Sequence, residues 1–109
     1  MHREPDRDFF LLAAMEWAAL RARCQTDTRG YAVAAAVSRE AAVCHLLFRA
    51  GRPAAVLARL RVLCRDLLGV RLPDGGESVP DAARTLGAAA ELFHRLRLAA
   101  DAVARTGAA

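Results

Sequence analysis

Apolar positions recur along the chain at helical spacing, and turn residues cut the pattern into four segments. The first helix is expected over residues 6–24, after Pro5. Asp6 and Asp8 sit in its opening turn, where the helix dipole favours acids. The polar stretch 25–30 breaks it, and a second helix is expected over 31–50, closed by Gly51. Gly51-Arg52-Pro53 reads as a tight helix–helix connection, because Gly suits a helix C-terminus and Pro the first turn of the next helix. The third helix, 53–68, ends at Gly69. Residues 70–77, with Pro73-Asp74-Gly75-Gly76, form the one real loop. Ser78 then opens a fourth helix, 78–105, as N-cap, with Pro80 early and Asp81 three residues on. No run alternates with period two for long enough to suggest a sheet.

Placing residues at 100° intervals separates the faces. In the third helix Val56, Leu57, Leu60, Leu63, Cys64, Leu67 and Leu68 form an apolar stripe, with Arg52, Arg59, Arg65 and Asp66 opposite. In the fourth, Leu86, Ala89, Leu92, Phe93, Leu96, Ala100 and Val103 oppose Arg84, Glu91, His94, Arg95 and Arg105. The first helix differs. From residue 9 to residue 20 its only charge is Glu16, so it is apolar nearly all round. Such a helix is central in a bundle or covered by a second subunit. In a bundle of four every helix touches solvent, which leaves the second subunit. The expected fold is therefore an all-α, four-helix antiparallel bundle in one domain, dimerising through its first helix.

The chain has 109 residues, 55% of them apolar, enough for one core and too apolar for a disordered segment. It contains no Lys, Ile or Asn but 26 Ala and 16 Arg. The missing residues share codons that begin with two A/T bases, which points to a GC-rich genome. Arginine is thus partly a coding habit here and weak ground for nucleic-acid binding. The net charge of +4 is uneven. Residues 49–71 hold six Arg against Asp66 alone, and the rest of the chain is nearly balanced.

Cys24, Cys44 and Cys64 are an odd number with no C-x-x-C pair, which reads as reduced thiols in a cytoplasmic protein. The apolar run at residues 9–15 is too short to cross a bilayer that needs about 20 residues. The N-terminus carries acids and lacks the basic opening of a secretory signal. No membrane association is expected.

Few residues suggest chemistry. Glu91 and His94 form an E-x-x-H pair, the spacing of carboxylate-bridged di-metal bundles, which use two such pairs. Only one is present, on a polar face, so no metal site or cofactor is assigned. Glu40 lies among Val33, Val37, Cys44 and Leu47 on an apolar face. A carboxylate there needs a partner, and Arg21 or Arg97 is expected to supply a structural ion pair. Arg39 and His45 have an R-x5-H spacing that resembles helical ribonucleases of the HEPN class, though mid-chain and with Glu40 next to the Arg. No phosphate-binding glycine loop and no H-E-x-x-H motif occurs.

Two stretches resemble binding modules. Residues 79–97, with Ala83, Gly87, Phe93 and Leu96 at their spacings, resemble a bacterial helix-turn-helix. That resemblance implies a second helix in a major groove offering Arg84, Glu91, His94 and Arg95. Residues 46–60 are similar to the hairpin of a tetratricopeptide-type repeat, in a single copy. The expected function is a non-catalytic interaction module: a small adaptor, chaperone or accessory subunit. Its partner-binding candidates are Phe9, Phe10, Leu12 and Trp17 on the first helix and Arg52, Arg59, Arg61 and Arg65 on the third. A homodimer and an acidic protein partner are expected. The alternative is a DNA-binding regulator, with a metal-dependent or RNA-cleaving enzyme third.

Overall fold

A computed structural model of the chain describes residues 8–69 and 82–105. Four helices account for nearly all of them: α1 (Phe9–Ala22), α2 (Arg29–Arg49), α3 (Pro53–Leu68) and α4 (Ala82–Arg105). The all-α class is thus as expected, and no strand occurs among the described residues. The start expected at Asp6, the loop 70–77 and the Ser78 cap lie outside them.

The helix ends follow their caps. α1 stops at Ala22, two residues early, because the N–H groups of Arg23 and Cys24 turn back to the carbonyls of Leu20 and Arg21. α2 begins two residues earlier than expected, at Arg29. Thr28 is extended, and its hydroxyl accepts from the Tyr31 N–H at 3.2 Å, capping the helix. The α2–α3 turn is the expected one. Gly51 has φ of +75°, a left-handed conformation suited to Gly, and Pro53 opens α3. Gly69, with φ of +68°, closes α3 in the same way.

One core joins all four helices. The α3 residues Val56, Leu57, Leu60, Leu63 and Cys64 are buried, as are Leu86, Ala89, Leu92, Phe93, Leu96 and Ala100 of α4. Two amphipathic stripes therefore close on each other as their periodicity predicts. Phe10 sits at the junction, its ring centroid 5.3 Å from Phe48 of α2 and 6.3 Å from Phe93 of α4. Thr85 was not expected in the core but is fully buried there, and its hydroxyl oxygen has no hydrogen-bond partner among the described residues.

α2 packs extensively on each of the other three helices, while α1 packs chiefly on α2. Ala14 on α1 and Ala34 and Ala41 on α2 are small enough to let two backbones approach. The Ser38 hydroxyl donates directly to the Ala14 carbonyl at 3.0 Å. Packing on α2 buries Phe10, Ala14 and Trp17 of α1 and leaves its other side bare.

Candidate functional site

The partner-binding residues expected on α1 divide sharply. Phe10 and Trp17 are buried in the chain's own core and are unavailable to a partner, which corrects that part of the expectation. Phe9 is half-buried, edge-on to Phe10 with centroids 5.0 Å apart. Leu12 is 58% exposed, and beside it Leu11 and Met15 are 40% and 60% exposed. Sequence reasoning missed these last two because an all-round apolar helix was not resolved into its covered and uncovered sides.

Next to this bare side, an open groove of about 400 Å³ runs between α1 and α4. Phe9, Leu12, Ala13, Trp17, Ala90 and Phe93 make its walls apolar. Its polar rim carries an ion pair, with the Arg97 guanidinium donating to Glu16 at 3.2 Å and to Asp101 at 3.2 Å. The charges on this rim are thereby met within the chain.

A second groove, of about 530 Å³, lies between α2 and α3 and is crossed by the pair that fixes their register. Arg59 donates from Nε to one Glu40 oxygen at 2.9 Å and from Nη2 to the other at 3.0 Å. The partner of Glu40 is therefore Arg59, not Arg21 or Arg97. Arg97 is engaged with Glu16 and Asp101, while Arg21 is exposed on α1. A short turn brings i and i+19 together, a relation that a helical wheel of α2 alone does not contain. Glu40 keeps the Arg59 guanidinium more firmly protonated than usual, through the hydrogen bond first and its charge second.

Beneath this pair lies the fully buried Cys44, whose thiol points at the Val56 carbonyl 4.0 Å away. Burial, reinforced by the nearby Glu40 charge and opposed by Arg59, pushes the Cys44 thiol up to about 12. Burial also raises Cys64, against a lowering influence from Arg95. Thiols held protonated in this way are poor nucleophiles and metal ligands. All three cysteines are free, and the half-buried Cys24 donates to the Leu20 carbonyl at 3.3 Å.

The four candidate arginines of α3 do not share one face. Arg59 and Arg61 stand about 200° apart around the helix, on opposite edges of its buried stripe. Arg59 is committed to Glu40, and Arg65 lies 3.5 Å from Asp66. Arg52 is exposed at the N-cap of α3 and Arg61 is half-buried.

The turn that a helix-turn-helix requires at Gly87 is absent, because α4 runs unbroken through that residue. The left-handed glycines among the described residues are Gly51 and Gly69 alone, and no atom lies within 4 Å of where a Gly87 side chain would begin. Glycine is tolerated there by a continuous helix and serves neither a turn nor a close crossing. Arg84, Glu91, His94 and Arg95 are all exposed on α4, with Glu91 and Arg95 paired at 3.1 Å.

The other candidate groupings also come apart. Arg39 faces the α2–α3 groove, whereas His45, about 120° away around α2, is half-buried with an Nδ1 unpartnered among the described residues. Among the described residues no three His, Cys, Asp or Glu side chains gather where they would hold a metal ion. By length and composition α2 is apolar enough to cross a membrane, with a mean hydropathy of 1.3 over its best window. Its alanine content carried that signal, which a search for unbroken runs of large apolar residues passes over.

No family model, curated protein or solved structure matches the chain.

Proposed function

We propose that the chain is a non-catalytic helical interaction module, a small adaptor, chaperone or accessory subunit, built as an antiparallel four-helix bundle and acting as a cytoplasmic homodimer. The observation that carries this reading is the uncovered side of α1, where Leu11, Leu12 and Met15 stand exposed within two turns. Apolar side chains grouped in this way on a small domain are the usual mark of an interaction surface. The adjoining α1–α4 groove extends that surface with aromatic walls. An acidic partner would be steered chiefly by Arg52 and Arg61, because Arg59 is held by Glu40 and Arg65 lies beside Asp66. Exposed charges of this kind raise encounter rates more than affinity.

A cytoplasmic location is supported by three thiols that form no disulfide. For α2, Arg39 and Glu40 lie mid-helix, and each charge at a bilayer centre costs about 2.5–3.5 kcal/mol. Glu40 is moreover already satisfied by Arg59 across a soluble-type helix interface.

Light-scattering mass across a concentration series, with and without a random DNA duplex at low and moderate salt, tests the reading. A mass of twice 11.7 kDa that ignores the duplex supports it. A mass of 11.7 kDa at every concentration overturns the dimer. Binding to the duplex that fades steeply with salt would transfer the function to phosphate recognition.

A further inference from the structure

We infer that α1 pairs antiparallel with α1 of a second copy along a seam of Leu12, Met15, Ala19 and Ala22, an arrangement that rests on the interaction reading above. These residues follow one another at spacings of three, four and three, the repeat that keeps one edge of a helix facing a partner helix. All four are exposed. Phe10, Ala14 and Trp17, at spacings of four and three, form a second seam on the opposite side, and α2 and the core already fill that one. So α1 carries two helix-packing seams, and the chain's own fold uses one.

Size and charge both select a second copy in antiparallel orientation. Antiparallel pairing sets Leu12 opposite Ala22 of the second copy and Met15 opposite its Ala19, so large meets small at all four layers. Parallel pairing would set alanine against alanine at two layers and leave voids that forfeit dispersion contacts. The seam is flanked on one edge by Leu11 and Ala18 and on the other by Glu16 and Arg23. Like edges meet in an antiparallel two-fold pair. The apolar edges therefore cover each other, and Glu16 of each copy, already paired with Arg97 of its own chain at 3.2 Å, takes Arg23 of the other copy as a second cation. Side chains on a helix lean towards its N-terminus, which draws this pair together from the two helices. Arg23 retains helical backbone angles at the end of α1, so it continues that edge.

Four variants, Ala19→Arg, Arg23→Glu, Glu16→Arg and a double variant, test the seam by sedimentation equilibrium, with far-UV circular dichroism confirming the fold. Ala19→Arg replaces an exposed residue with another good helix former. It is expected to weaken the dimer about tenfold or more, since it puts a charge at the seam's centre. Arg23→Glu sets Glu against Glu twice and is expected to weaken it about tenfold. The double variant Glu16→Arg/Arg23→Glu exchanges the charges and is expected to bind more tightly than Glu16→Arg alone, which loses the same intrachain pair with Arg97. A wild-type dimer indifferent to Ala19→Arg overturns the seam while leaving the interaction reading standing. A double variant that binds no more tightly than Glu16→Arg alone overturns the antiparallel orientation. A wild-type chain that stays monomeric overturns the seam and the dimer together.

Discussion

Arg59 grips Glu40 with two parallel hydrogen bonds, of 2.9 and 3.0 Å, and so ties α3 to α2 at a fixed register. The fork geometry belongs to the guanidinium and not to positive charge in general. Both side chains keep solvent contact, at 45% and 19% exposure, so the pair contributes modestly. Replacing Glu40 by Gln is expected to cost about 1 kcal/mol in chemical denaturation. Arg59→Lys is expected to cost nearly as much as Arg59→Ala, because lysine offers no fork. Lysine performing as well as arginine would show that the pair acts through charge alone.

The same region sets an alkaline limit on stability. Cys44 is raised from 9.0 to about 12, so above pH 9 the unfolded chain loses a proton that the folded chain keeps. Stability from the protonated thiol is complete below about pH 9 and is lost progressively as pH rises towards 12. Denaturation midpoints measured from pH 8 to 10.5 are expected to fall, with a shallower slope in Cys44→Ala whatever that variant's absolute stability. Parallel slopes would place the alkaline loss elsewhere.

Gly87 distinguishes a continuous helix from a turn. Nothing crowds the position, and its backbone is that of a helix interior. Gly87→Ala is therefore expected to stabilise the protein by about 1 kcal/mol. A glycine required in a left-handed turn would instead lose stability on the same change, so thermal denaturation of this one variant decides the matter.

Thr85 lies fully buried with its hydroxyl unpartnered among the described residues, which leaves a polar group without a hydrogen bond there. Thr85→Val keeps the shape and removes that group. It is expected to raise stability by about 1 kcal/mol. A loss of stability would mean that the hydroxyl finds a partner in solution, an internal water being the simplest.

The stripes of α3 and α4 were legible in the sequence because 3.6-residue periodicity alone determines which side of a helix is buried. Gly51 and Pro53 likewise announced the α2–α3 turn through their backbone preferences. The partner of Glu40 was not legible, since it depends on the separation and register of two helices. Trp17 and Leu12 show why the candidate surface was only half found. Both are large and apolar on one helix, and which of them meets solvent depends on where α2 packs. Periodicity also exposes the limit of the Gly87 motif, for a helix tolerates one glycine without any local mark that separates it from a turn.

The central claim is that the outward side of α1 is the seam between two copies, and the most direct measurement is the light-scattering mass of wild type and Ala19→Arg at one concentration. The expected result is a mass near twice 11.7 kDa for the wild type and one shifted towards 11.7 kDa for the variant, with equal helix content. Equal masses for the two proteins would contradict it.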